Sequence, residues 1–252
     1  MVMVANNDQV LRCMKIHGLV GQLVMEGKRD PDTVRRALQT IHDYPDFASR
    51  LGIAGNTALI AATKADLKLW ERFDRKFFGK REDYSGLRVP DSSDPEFVWP
   101  IPMPSWATMN GTVAAMRKTG IDVWTYTNDL DWDIPTHDRD PKRDAYAVLV
   151  RNRQEADEEL KNLSANQLRE QKISAITCLE RLRLGFFRWF VTGGRKNGKH
   201  LDVQNITLCM GSRLRDGNPP YVYWLPALRQ VSVNWCSPAP ASDNLRARAV
   251  VS

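Results

Sequence analysis

The segment TGGRKNGKH, residues 192 to 200, comes closest to a known chemical motif in this chain of 252 residues. Gly193, Gly198 and Lys199 have the spacing of a phosphate-binding loop, in which backbone amides cradle phosphate groups. However, His200 occupies the position where Ser or Thr must hold magnesium, and the segment follows a predicted helix rather than a strand. We therefore interpret it as a helix end followed by a turn.

Acidic side chains alternate in a second segment, where Asp129, Asp131 and Asp133 have the spacing that begins an EF-hand loop. That loop requires a glycine where Ile134 stands, and a closing Glu that this sequence does not have. The pattern therefore favours a solvated acidic turn over a cation site, and we predict no metal ligands.

No motif presents an activated nucleophile, since GxSxG and Cys–His signatures are missing from the sequence. The histidines do not have the spacing of metal ligands; they are His17, His42, His137 and His200. We expect His200 and Asp202 to form a hydrogen-bonded structural pair, and Cys209 to be a buried, unreactive thiol. The sequence thus predicts no catalytic residues, no metal and no cofactor, so we expect a protein that is not an enzyme.

The net charge of +6 permits an acidic partner, but lysines and arginines are interleaved with acids along the chain. This pattern favours an ordinary solvated surface over a dedicated nucleic-acid face. We see neither an apolar run of membrane-spanning length nor a secretory signal at the N-terminus. The four cysteines are far apart and form no CxxC motif, which together with these features predicts a cytoplasmic protein.

The N-terminal third has helical spacing. Asp30-Pro31 combines an N-cap acid with proline at the first helical position, and a further helix is predicted from about Thr57 to Phe78. Residues 79 to 96 are charged and rich in turn formers, so we place a domain boundary there. The prediction is a helical unit over residues 1–80 and a second domain over residues 87–252.

The second domain mixes helices and strands. A short helix with apolar Met109, Val113 and Met116 is predicted to close at Gly120, and residues 146 to 150 read as a strand. Ser164 and Gln167 have capping-box spacing. We expect them to begin one long helix whose apolar face continues to Phe190.

The last forty residues alternate strictly between two side-chain sets, as in β-strands. One set is apolar and predicted to be buried: Val222, Trp224, Val231, Val233 and Trp235. The other is mixed and predicted to face outward: Tyr221, Tyr223, Ser232, Asn234 and Cys236. A short loop from Leu225 to Arg229 joins the two strands, and residues 245 to 251 read as a closing edge strand. We expect Trp224 and Trp235 to be anchors of the core.

The residues GKHLDVQNITLCMGSRLRDG, the alternating strands and the ending DNLRARAVVS resemble the C-terminal domain of variable proteins from diversity-generating retroelements. The resemblance extends over about residues 87–252 and is strongest over residues 198–252. It implies an α+β fold, a C-type-lectin-like mixed domain related to the formylglycine-generating enzymes, here with a small N-terminal helical unit. It also implies that the first and last strands of the domain are adjacent.

In that family, an error-prone reverse transcriptase rewrites template adenines, so that AAC codons become any NNC codon. The resemblance therefore implies a variable region over about residues 211–252 that binds a macromolecular ligand, which we expect to be a protein. The outward and loop residues of this region are all types that an NNC codon can encode: Tyr221, Tyr223, Leu225, Ala227, Ser232, Asn234, Cys236, Ala239, Ala241 and Asp243.

Two properties of related proteins do not carry over. The calcium-lectin sugar motifs EPN, QPD and WND are missing, and no paired active-site cysteines of an oxidase are visible in the sequence. Two alternatives to the ligand-binding protein stay open: an enzyme related to the formylglycine-generating, sulfatase-modifying class, and a basic nucleic-acid-binding protein.

Overall fold

The computed structural model describes residues 56–252, with side chains from residue 66 onward. The chain divides into two compact units, Met1–Ala62 and Thr63–Ser252. The helices predicted before residue 56 lie outside the described residues. The helices are α1 (Asn56–Phe78), α2 (Met109–Lys118), α3 (Leu130–Asp133), α4 (Ala165–Glu170), α5 (Cys178–Val191) and α6 (Gly194–Asn197), with a 3₁₀ turn at Glu158–Leu160. The strands are β1 (Phe97–Met103), β2 (Asp122–Thr125), β3 (Thr136–His137), β4 (Tyr146–Arg151), β5 (Ile206–Leu208), β6 (Ser212–Arg213), β7 (Pro220–Leu225), β8 (Gln230–Trp235) and β9 (Leu245–Ala247).

The compact unit starts at Thr63, well before the boundary that we predicted within residues 79–96. The reason is the aromatic face of α1, which packs on α5. The Trp70 ring stacks on Phe187 at 3.8 Å between centroids, and Phe73 meets Phe186 edge-on at 4.9 Å. Such large buried rings contribute strongly to a core. The C-terminal part of α1 therefore belongs to the same core as the strands.

The strands form a mixed α/β arrangement with one five-stranded sheet and two small ones. The large sheet has the order β2-β8-β7-β5-β9, while β1 pairs with β4 and β3 with β6. Within the large sheet β2 runs parallel to β8 and β5 parallel to β9, and the other pairs are antiparallel. The edge strand predicted over residues 245 to 251 is confirmed only over Leu245–Ala247, as β9. Ala249 and Val251 instead form isolated bridges with Ala175 and Leu149. The predicted adjacency of the first and last strands is wrong, since β1 and β9 lie in different sheets.

The single long helix predicted from Ser164 to Phe190 is in fact two helices. The capping box of Ser164 and Gln167 forms as expected, but α4 ends at Glu170. Lys172 follows with a φ of +56°, a left-handed conformation that interrupts the helix. A second capping box, between Thr177 and Glu180, then begins α5. The apolar spacing runs through both helices and conceals the break.

Asp202 lies in a buried cluster of charges that connects α5 to the C-terminal segment. Its carboxylate accepts hydrogen bonds from Arg181 at 2.7 Å, from Arg248 at 3.0 Å and from the hydroxyl of Thr207. The predicted pairing of Asp202 with His200 is therefore wrong, since these three donors occupy the carboxylate. Buried charges are tolerated when they are paired and hydrogen-bonded in this way.

Among the helices from residue 56 onward, none combines the length and the apolar character that crossing a bilayer requires.

Candidate ligand-binding face

The β7–β8 hairpin separates its side chains by the pleat of the sheet. Val222 pairs with Val233, and Trp224 pairs with Val231, so these four residues share one side. Val222 and Val233 are 0% exposed and Val231 is 6% exposed, within the main hydrophobic core. The predicted burial of the valine row is confirmed.

The opposite side of the hairpin carries Tyr221, Tyr223, Leu225, Ser232 and Asn234, which we call the hairpin face. Tyr223 pairs with Ser232 and Tyr221 with Asn234, so these residues are direct neighbours across the two strands. The Tyr221 and Tyr223 rings lie 6.1 Å apart, and both side chains are half-buried. Burial, and next the Tyr223 hydroxyl, raise the pKa of Tyr221.

Ser232 departs from the predicted outward exposure, because it is 3% exposed. In the register of the sheet it lies between Trp124 of β2 and Tyr223 of β7. A small side chain between two large ones loses its access to solvent. Ser232 therefore offers little surface of its own.

Trp124 also lies on this surface, although its position in the sequence does not indicate it. It is 44% exposed and stands beside the hairpin face through the parallel pairing of β2 with β8. Val123 is buried and Trp124 is exposed, which is the alternation expected of neighbouring residues in a strand. The partner strand, however, is more than one hundred residues away, so the sequence does not indicate that Trp124 and Tyr223 flank the same serine.

The remaining predicted residues divide between the two ends of the hairpin. Ala227 is exposed in the turn, next to Leu225, while Ala239, Ala241 and Asp243 are exposed in the segment after β8. Cys236 instead packs against a second hydrophobic cluster beneath α4, as Tyr221 also does in part. The amide of Asn166 donates a hydrogen bond to the carbonyl of Pro238, which ties this segment to α4.

The predicted role of the two tryptophans as core anchors is wrong for Trp235. This residue is 40% exposed, because it is the last residue of β8 and projects past the edge of the core. Trp224 is half-buried at the margin of the core, where its ring stacks on His200 at 3.5 Å. Burial, and next the charge of Arg181, lower the pKa of His200 to about 4.

The acidic turn has a structural role. Asp129 caps α3 by accepting from the amide of Trp132 at 3.0 Å, and Asp131 accepts from the amides of Met109 and Asn110 at the start of α2. Within residues 66–252, no group of three or more His, Cys, Asp or Glu side chains is arranged to hold a metal ion. Trp132 itself is 63% exposed and lies under the guanidinium of Arg215 at 3.8 Å.

Two cysteines that are distant in sequence meet in the interior. Cys178 and Cys209 are both 0% exposed, as expected of a buried thiol at Cys209. Burial, and next the neighbouring Cys178 thiol, raise the pKa of Cys209. Because the thiolate is the reactive form of cysteine, this environment disfavours nucleophilic chemistry at Cys209.

Comparisons with known proteins give no relative for this chain: no family model matches it. Searches of curated proteins and of solved structures likewise find no significant match.

Proposed function

We propose that this chain is a diversified ligand-binding protein of a diversity-generating retroelement, with its variable residues on a C-type-lectin-like scaffold. The observation that carries the proposal is the division of one hairpin into two sides. Val222, Val231 and Val233 are buried, while Tyr221, Tyr223 and Asn234 on the other side reach solvent. These three residues are types that an NNC codon can encode.

The division has an energetic consequence. A buried valine that is replaced leaves a cavity or a clash in a close-packed core. A partly exposed side chain on a fixed backbone can change with little effect on folding. Residues such as Tyr223 and Asn234 are therefore suited to diversification, whereas the valine row would hold the backbone constant.

The hairpin face also has the chemistry of a protein-binding surface. Tyrosine and tryptophan are enriched among the residues that dominate binding energy at interfaces. Tyr221 and Tyr223 would supply rigid contact area that has both apolar and polar character. Trp124 cannot arise from an NNC codon, so we infer that it is a constant anchor beside the variable positions. The ligand that best fits such a surface is a protein.

A display experiment tests this function. A library would randomise Tyr221, Tyr223, Leu225, Ala227 and Asn234 with NNC codons and would be selected against a panel of unrelated proteins. A matched control library would randomise five exposed positions elsewhere on the described chain: Arg143, Asp144, Arg169, Glu170 and Gln171. We expect folded binders from the first library and none above background from the second. Unfolding of most members of the first library, or equal yields of binders from both, would contradict the proposal.

A further inference from the structure

The solvent side of α1 carries a row of cations. Lys68, Arg72 and Arg75 are exposed and follow each other at intervals of four and three residues, so they lie on one side of the helix. The buried residues Trp70 and Phe73 lie on the opposite side. Past the end of the helix the row continues to exposed Arg81. A helix rise of about 1.5 Å per residue makes the part from Lys68 to Arg75 about 10 Å long.

Three of the acids that interrupt this basic stretch in sequence already accept hydrogen bonds, although Glu71 and Glu82 also line the depression described below. Asp74 is buried and accepts from Arg183 at 3.0 Å. Glu71 accepts from Lys68 and from the backbone amide of Tyr84. Glu82 accepts from the indole of Trp106 at 2.7 Å. The interleaving of charges in the sequence therefore understates the positive character of this surface.

Three of the arginines converge on one open depression of about 490 Å³, lined by Lys68, Glu71, Arg72, Arg75, Arg81 and Glu82. Within the described residues, Arg72, Arg75 and Arg81 have neither an ion pair nor a side-chain hydrogen bond. Guanidinium groups bind phosphate oxygens through paired, charge-assisted hydrogen bonds. Three such groups without partners, facing one concave surface, are suited to a ligand with several phosphates.

We propose that this depression binds the phosphate backbone of a single-stranded nucleic acid, as a second site separate from the hairpin face. The row is longer than one phosphate group, which favours a strand over a singly phosphorylated ligand. The partly exposed ring of Trp106 adjoins the depression. Its indole N–H donates a hydrogen bond to Glu82, and the ring centroid lies 5.8 Å from the ammonium of Lys80. The Arg183 guanidinium and the Lys80 ammonium both lie over this ring. An unpaired base would stack on it in the place of the exposed Lys80 side chain, whereas paired bases in a duplex cannot stack in this way.

Fluorescence anisotropy with a labelled oligothymidylate and the full-length chain tests the site. Three phosphate contacts predict a slope of about 2 in log Kd against log salt, which is roughly a 15-fold loss of affinity between about 50 and 200 mM salt. The variant Arg72→Gln/Arg75→Gln/Arg81→Gln should lose most of the affinity and of this slope. The control Arg88→Gln/Arg143→Gln/Arg169→Gln removes the same charge from exposed positions elsewhere and should bind as the wild type does.

Three results would overturn the proposal. The first is equal binding by the two triple variants, which would mean that affinity follows net charge alone. The second is the absence of binding at low salt at concentrations up to about 100 µM, the weak limit for nonspecific nucleic-acid affinity. The third is tighter binding of a phosphorylated peptide than of the oligothymidylate. Circular dichroism of all variants would verify that they are folded.

Discussion

Replacing Asp74 by Asn should severely destabilise the compact unit. Asp74 and Arg183 are both 0% exposed, and the guanidinium has no second carboxylate partner among the described residues. Two of its nitrogens, Nε and Nη1, already have no hydrogen-bond partner. Burial raises the pKa of Asp74, and the Arg183 charge opposes that rise. The pair itself therefore adds little net stability, but removal of the carboxylate charge leaves a buried cation uncompensated.

The expected loss is about 3–5 kcal/mol, the range for removal of one member of a buried ion pair. This is a large part of the roughly 5–15 kcal/mol that holds a typical protein folded. Four aromatic rings lie within 6 Å of the Arg183 guanidinium: Trp70, Phe73, Phe78 and Trp106. Because cation–π interactions with these rings stabilise the positive charge, we expect a loss in the lower half of the range.

Urea unfolding followed by tryptophan fluorescence would measure the effect. The exposed Asp91→Asn is the matched control and should keep the wild-type midpoint. The double variant Asp74→Asn/Arg183→Met should recover much of the loss, because both charges are then gone. If Asp74→Asn loses less than about 1 kcal/mol, then α1 does not belong to the core of this unit, and a domain boundary near residue 80 would be correct after all.

Further predictions concern single positions. The pKa of His200 is lowered from 6.5 to about 4, so the unfolded chain protonates first as the pH falls. The resulting stability is present above pH 6.5 and is lost towards pH 4; His200→Phe, which keeps a ring on Trp224, should flatten this region of a pH–stability profile. Trp235→Ala should lower the urea midpoint less than Val233→Ala does; the opposite order would mean that the exposure of Trp235 is wrong. Thr177→Ala removes the N-cap of α5 and should cost about 1–2 kcal/mol in the same assay, whereas an unchanged midpoint would show that the cap is dispensable.

Local patterns in the sequence predicted the parts of the fold that depend on near neighbours. The period-two alternation identified the buried row at Val222, Val231 and Val233, and the helix at 56–78 followed from apolar spacing. What the sequence did not indicate depends on distant contacts. The parallel pairing that places Trp124 beside Ser232 is one case, and the position of Trp235 beyond the core edge is another. An alternating pattern shows which side a residue is on, but not how far the covering layer extends.

The assignment of α1 depends on the same kind of distant contact. Residues 79–96 have the composition of a linker, and composition is the only signal available without the fold. The aromatic residues of α1 do not indicate which element they pack against, because Phe187 of α5 follows Trp70 by more than one hundred residues. Only the packing of Trp70 on Phe187 shows that the helix before the turn-rich segment belongs to the unit after it.

Sequencing of the DNA around the gene tests the central proposal most directly. The proposed function predicts a neighbouring reverse-transcriptase gene and a near-identical repeat of the region encoding residues 211–252. In that repeat, adenines should replace other bases at the codons for Tyr221 and Tyr223, the codon for Asn234 should read AAC as it does in the gene, and the codons for Val222 and Val233 should be unchanged. Adenine differences that fall equally on the valine codons, or a locus without the repeat and the reverse transcriptase, would contradict it.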